Sequence, residues 1–301
     1  MEFLVGSSFN FLGHRRGAFI LSAILILAGV VSLVAHGGLE LGIDFEGGTL
    51  LQVRFEKPIA AQAIRETLAE IGLGDAEIQH FGGDREAIIR AKVDEEGRDL
   101  AAVIVTSLNE AHPENRAEVR RQELVGPKVG QELRGKMTLA IIYALVGILI
   151  YISIRFEFKF AVGAVVALVH DVLITLGAFS IAGRELSLPV VAALLTIVGY
   201  SLNDTIVIYD RIRENRRKLY GKSYLEIVNT SLNESLTRTL VTSLTTLLVV
   251  VCLFVLGGEV IHDFAFALMI GVIVGTYSSL YVASPIVVEW QLHMERRKRR
   301  H

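Results

Sequence analysis

The sequence predicts an α-helical polytopic membrane protein with six transmembrane helices and a small α+β domain inserted between the first and second. Three observations carry this expectation. Of 301 residues, 52% are hydrophobic and 21% charged, and the mean hydropathy is +0.49, far more apolar than an ordinary soluble domain. Apolar runs able to cross a hydrocarbon core of about 30 Å recur near 17–36, 137–154, 160–182, 188–209, 239–257 and 264–287. Between the first two runs lies a stretch of ordinary polar composition, long enough for a small folded domain. The chain so divides into an N-terminal segment 1–16, a first span 17–36, an inserted domain 37–136, a five-span block 137–290 and a basic tail 291–301.

Arg15 and Arg16 precede the first run, which is longer than the apolar core of a secretory signal and has no small-x-small cleavage site, so it is read as an uncleaved anchor. In the inserted domain, Thr49–Phe55 alternates as a strand and Ile59–Ile71 has helical spacing. Glu77–Phe81 and Ala87–Val93 read as strands around a Gly82-Gly83-Asp84 turn, Leu100–Ala111 as a helix and Ala117–Val125 as a strand. The order β-α-β-β-α-β is that of a ferredoxin-like sandwich.

Lys and Arg fix the orientation. Arg155 and Lys159, the cluster Arg211, Arg213, Arg216, Arg217, Lys218 and Lys222, and the tail Arg296–Arg300 join Arg15 and Arg16 on one side. The opposite short loops carry only Arg184. Both termini are therefore expected in the cytoplasm and the inserted domain outside. Residues 223–238, with the stripe Leu225, Val228, Leu232 and Leu236, predict an interfacial amphipathic helix leading into the fifth span. A net charge of −2 offers no basic surface for nucleic acid, and the single Cys252 forms no intrachain disulfide.

Charged residues inside apolar spans are the candidate functional residues, because a carboxylate at the bilayer centre costs roughly 2.5–3.5 kcal/mol unless paired, hydrated or protonated. Asp204 lies in the fourth span with Ser201, Asn203 and Thr205 beside it, and the fifth span offers Ser235, Arg238, Thr239, Thr242 and Thr246 at helical spacing, a stripe able to line a wet path. At 1.5 Å per residue, Asp204 and Arg238 fall in the same half of the membrane. Pairing would keep Asp204 ionised until a proton arrives, the minimum equipment of a proton-driven switch. Asp171, in the third span beside His170, is assigned a packing or relay role. Neighbours in a helix point about 100° apart and do not both face one ligand, which argues against a metal site. An intramembrane aspartyl protease using Asp171 and Asp204 is disfavoured by their different depths and by local sequences unlike that class. Gly271 and Gly275 form a GxxxG spacing suited to close helix packing.

Three segments together resemble the SecD/SecF family of protein-export membrane proteins: Gly42-Ile43-Asp44-Phe45-Glu46-Gly47-Gly48-Thr49, Val125-Gly126-Pro127 with Val129-Gly130, and Val198-Gly199-Tyr200-Ser201-Leu202-Asn203-Asp204-Thr205-Ile206-Val207-Ile208-Tyr209-Asp210-Arg211. The resemblance implies a half-unit of the resistance-nodulation-division (RND) superfamily fold in the bacterial inner membrane with a periplasmic inserted domain. It implies a non-enzymatic, proton-coupled role in pulling preproteins outward, together with SecD, after the SecYEG channel and the SecA motor have moved them. YajC is a further candidate partner. The family's proton-coupling residues fall on Asp204 and Arg238, with Asn203 adjoining. The coupling ion is H+, with Na+ as the other candidate, and no bound cofactor or metal is implied. Gly42, Gly47 and Gly48 supply the backbone freedom of a hinge, and Asp44 is placed to cap that turn. Glu46 stands where a common form of the motif carries Thr. An exporter of small solutes on the same superfold is the alternative, but it calls for a larger outer domain or duplicated halves.

Overall fold

The structure, a computed structural model, describes residues 8–74, 76–80, 83–91 and 99–298. A 3-10 turn (Leu12–His14) leads into α1 (Arg15–Ala35), followed by α2 (Ile43–Glu46), β1 (Gly48–Phe55), α3 (Ala61–Glu70), β2 (Glu77–His80), β3 (Glu86–Ala91), α4 (Leu100–Ala111) and β4 (Ala117–Val125). Then come α5 (Pro127–Arg155), α6 (Phe158–Ile181), α7 (Leu188–Lys218), α8 (Tyr224–Leu256), α9 (Glu259–Ser278), a π-helical turn (Ser279–Ala283) and α10 (Ser284–Lys298). Among the described residues, six helical stretches are long and apolar enough to cross a membrane: Leu12–Ala35, Lys128–Arg155, Phe158–Ile181, Leu188–Lys218, Tyr224–Leu256 and Ile261–Arg297.

The chain forms two units. One comprises Leu41–Leu139 with the returning segment Glu185–Leu188. Its sheet has the order β2-β3-β1-β4, every neighbouring pair antiparallel, which is the ferredoxin-like arrangement. Alternation along β1 turns Leu51, Val53 and Phe55 inward against Ile64 and Leu68 of α3 and Ile104 and Leu108 of α4, all of them buried. Asp99 caps α4 by accepting the Ala102 N–H at 3.3 Å. A bulge between Gln52 and Val53 interrupts the β1–β4 register. Of the expected elements here, Phe81, Gly82, Lys92 and Val93 lie outside the described residues.

The other unit, Met1–Glu40, Ala140–Arg184 and Pro189–His301, holds the bundle. Of its helices, α6, α7 and the last helical stretch bury about half of their apolar windows or more, while α1, α5 and α8 leave most of theirs exposed, as lipid-facing helices do. Tyr209 is fully buried among Phe156, Phe160 and Val287, its ring 4.7 Å from that of Phe160. The basic segments gather at one end of the bundle. There Arg15 pairs with Glu289 at 2.8 Å, Glu157 with Arg216 at 2.5 Å and Arg155 with Asp210 at 3.1 Å.

The interfacial helix expected at 223–238 is replaced by something simpler. No Gly or Pro interrupts the sequence from Lys222 to Leu256, so α8 runs as a single 33-residue helix from a Ser223–Glu226 capping box into the span. At about 1.5 Å per residue it reaches about 50 Å, more than a bilayer core needs. The stripe also faces protein rather than lipid headgroups: Val228, Leu232 and Leu236 are buried in the bundle core.

Candidate functional site

Asp204 occupies the buried face of α7 with 3% of its surface exposed. Its one hydrogen bond among the described residues is long, from Ser243 Oγ of α8 to Oδ2 at 3.5 Å. Ser243 is itself fixed by Thr276 of α9, whose Oγ1 donates to Ser243 Oγ at 2.7 Å. A nearly enclosed carboxylate with one weak donor is poorly compensated as an anion.

The direct pair expected between Asp204 and Arg238 is absent among the described residues. Arg238 is exposed on α8, five residues before Ser243, or about 7.5 Å along the axis. Arg238 lies beyond ion-pair distance of Asp204, although its charge still acts on that carboxyl from α8. Asn203 is exposed as well, about 100° around α7 from Asp204. The polar stripe of α8 bonds mostly to its own helix. Ser235 Oγ donates to Ser231 O, Thr242 Oγ1 to Arg238 O and Thr246 Oγ1 to Thr242 O, each at 2.9 Å. Thr239 differs: its buried hydroxyl has no hydrogen-bond partner among the described residues.

Asp171 is completely buried in α6 and, unlike Asp204, well supplied with donors. Ser201 Oγ of α7 donates to Oδ2 at 2.6 Å and Ser278 Oγ of α9 to the same oxygen at 2.8 Å. His170 Nδ1 lies 2.9 Å from Oδ1, so the adjacent pair do meet, through their side chains, despite the angle between their Cα–Cβ bonds. The two aspartates share no hydrogen bond among the described residues, unlike a catalytic dyad. Close helix approach sets this geometry. A Cβ on Gly271 would meet Ile197 Cδ1 at 2.3 Å, and one on Gly275 would meet Ser201 Cβ at 3.0 Å, so the GxxxG face of α9 lies against α7.

In the other unit, Gly42–Gly48 forms a clasp. Gly42 N donates to Leu186 O at 2.9 Å, and Arg134 Nε donates to Phe45 O at 2.9 Å. Asp44 does not cap its own turn, because its Oδ2 accepts the N–H of Leu188 at 2.8 Å. Gly47 needs its glycine for φ of 78°, and Gly48 for space, since a Cβ there would sit 2.9 Å from Ala91 O.

Comparison with known proteins places this arrangement. Residues 104–293 match the family described as Protein export membrane protein SecD/SecF, C-terminal, and residues 32–59 match the SecD/SecF GG motif. The chain belongs to the SecD/SecF family. Protein translocase subunit SecF of Magnetococcus marinus is 52% identical over 292 residues, covering 95% of this chain and 93% of that one. Protein translocase subunit SecF of Desulfurispirillum indicum is 50% identical over 287 residues, covering 93% and 91%. The crystal structure of SecDF, a translocon-associated membrane protein from Thermus thermophilus, is 40% identical, with a TM-score of 0.85 over 97% of this chain. The chain spans 40% of that solved chain. With six apolar helices, this SecD/SecF member is a multi-pass membrane protein.

The SecD/SecF GG motif contains Gly42, Asp44, Gly47 and Gly48, the clasp just described. Sequence reasoning missed Ser243 as the partner of Asp204, and Ser22 and Tyr277 as partners of the Asp171 pair. A lone Ser in a span carries little signal, because its importance depends on which helix it faces.

Proposed function

We propose that this chain is a subunit of the Sec protein translocase which, with a SecD partner, uses the proton-motive force to promote late preprotein movement across the bacterial inner membrane. Asp204 carries the reading: a carboxylate 3% exposed inside a span, held by a single long hydrogen bond, is an anion that gains by taking a proton. Protonation removes the charge, lets Asp204 settle among Ser243 and the apolar wall, and ends its pull on Arg238. Deprotonation restores a buried anion that draws Arg238 back. Asn203 adjoins this switch on the outer face of α7.

The positive-inside distribution supports cytoplasmic termini and a periplasmic Leu41–Leu139 unit. One proton crossing about 150 mV supplies about 3.5 kcal/mol, enough to shift a two-state equilibrium by about a few hundredfold. The work is binding and motion rather than covalent catalysis. SecYEG with SecA delivers the translocating preprotein, and YajC is an accessory of the same assembly. The coupling ion is H+, and exchange of Na+ for K+ in the assay separates it from Na+. With SecD present, Asp204→Asn assembles normally and loses the part of export that depends on the proton gradient. Export that keeps its full gradient dependence in Asp204→Asn contradicts the proposal.

A further inference from the structure

A second buried titratable pair lies apart from the Asp204 contacts. His170 and Asp171 are 5% and 0% exposed. Four contacts run outward from Asp171: Oδ1 to His170 Nδ1 at 2.9 Å, His170 Nε2 to Ser22 Oγ at 3.0 Å, Ser22 Oγ to the Tyr277 hydroxyl at 3.1 Å, and that hydroxyl to Ala18 O at 2.7 Å. Each contact needs one hydrogen, and the supply can be counted.

A carbonyl only accepts, so Tyr277 donates to Ala18 O. The Tyr277 hydrogen is then spent, and Ser22 donates to Tyr277. Ser22 is spent in turn, so His170 Nε2 carries a hydrogen and donates to Ser22. The contact between Nδ1 and Asp171 needs a further hydrogen of its own. Ser201 and Ser278 do not supply it, because Ser201 donates to Oδ2 and the one Ser278 hydrogen is shared between Oδ2 and Gly275 O, neither of them the Oδ1 that faces Nδ1. A neutral imidazole beside an ionised carboxylate brings one hydrogen to two contacts and leaves one of them empty. The chain closes only when the pair holds one proton more, as imidazolium with carboxylate or as imidazole with carboxylic acid.

Charge points the same way. The pair with that proton is neutral, and without it is a net anion buried in an apolar bundle. Among the described residues no Lys or Arg is hydrogen-bonded or ion-paired to it. On α1 the charged residues of the helix are Arg15 and Arg16 at its start, and on α6 the one other charged residue is Lys159, twelve positions before Asp171 and about 18 Å along the axis. From α7 the titratable groups of the span are Tyr200, Asp204 and Tyr209, with Asp204 three residues beyond Ser201, or about 4.5 Å of rise. From α9 it is Tyr277, with Glu259, His262 and Asp263 at the far start of that helix and Tyr281 in the following turn.

We propose that His170 and Asp171 form a second proton-binding site in the bundle, distinct from Asp204, loaded with one proton in this conformation and held so by Ser22 of α1 and Ser201 and Ser278 of α7 and α9. Its contacts join four segments of the bundle, so moving α1 away from α6 takes the Ser22 acceptor from Nε2 and lets the proton go. His170 and Asp171 are positioning and proton-holding residues here.

The test uses the full chain with its SecD partner in lipid nanodiscs at pH about 8, where an ordinary imidazole is almost wholly neutral. Nitrogen-15 NMR of labelled histidine and infrared spectroscopy read the proton directly. The expected result is one histidine protonated on both ring nitrogens, or a carboxylic-acid carbonyl band. That signature is lost in Asp171→Asn and in His170→Gln, weakened in Ser22→Ala and kept in Asp204→Asn. Absence of both signals in the unmodified protein overturns the proposal, as does a signal that, with Asp204→Asn also present, survives both His170→Gln and Asp171→Asn. If one of those variants fails to fold, the other assigns the signal. Loss of the signal in Asp204→Asn would also overturn it, by showing a single shared site.

Discussion

Replacing Gly177 with Ala tests how tightly the bundle is set. A Cβ on Gly177 would stand 2.8 Å from Gly29 Cα, and one on Gly29 would stand 2.8 Å from Gly177 Cα. Both obstacles are backbone, so no side chain can rotate aside. Non-bonded carbons settle at about 3.5–4.0 Å, and α1 must therefore move about 1 Å from α6. Two bonds flank the crossing, Ser32 Oγ to Ser180 Oγ at 2.8 Å and His170 Nε2 to Ser22 Oγ at 3.0 Å, and that shift carries both out of hydrogen-bonding range. Overpacking costs about 1–3 kcal/mol and each bond between membrane helices about 0.6, giving about 2–4 kcal/mol in all. Reversible unfolding in bicelles measures it against Gly147→Ala in α5, where nothing lies within 4 Å of a new Cβ and the change is neutral or stabilising. A Gly177→Ala protein as stable as Gly147→Ala refutes the packing argument.

Two further expectations concern the clasp and the ionic end of the bundle. Gly47→Ala forces a side chain into φ of 78° and costs about 1–2 kcal/mol, read as faster amide exchange in β1 of the full chain; unchanged exchange counts against it. Glu157 behaves differently with pH. Burial alone would raise its carboxyl, but hydrogen bonds and charge from Lys159 and Arg216 outweigh that and hold it below the ordinary value of 4.5. A lowered folded value means that the ion pairs stabilise the protein above the unfolded value and lose that contribution as pH falls through the folded one. Glu157→Gln therefore lowers stability by less than about 1 kcal/mol near neutral pH, since the group is 53% exposed, and the deficit vanishes in acid. A deficit that persists in acid sinks this reading.

Much of the fold was legible because its signals are periodic. The spans follow from uninterrupted apolar length, and the order of strands and helices in Gly48–Val125 from a period that alternates between about 2 and 3.6. Asp204 and Asp171 were legible because a carboxylate in an apolar run is costly wherever it points. Their partners were not. Ser243 and Ser278 reach the aspartates, and Thr276 and Ser22 reach Ser243 and His170, through helix rotation and crossing, and neither spacing nor hydropathy records these. The same gap explains Arg238, which is exposed and acts on Asp204 through its charge rather than through a direct ion pair. The clasp was hidden for another reason: Leu186 and Leu188 meet Gly42 and Asp44 from some 144 residues away, and a short loop after α6 gives no sign of such a role.

Proton entry measured during export shows whether a proton on Asp204 drives movement of a preprotein. The chain, its SecD partner, SecYEG and SecA are reconstituted in vesicles with a trapped pH indicator, a proton gradient is imposed, and SecA is stopped once a preprotein is partly across. The expected result is proton entry that accompanies completion of export in the unmodified complex, and neither entry nor completion in Asp204→Asn. Completion at the normal rate in Asp204→Asn, with or without proton entry, contradicts it.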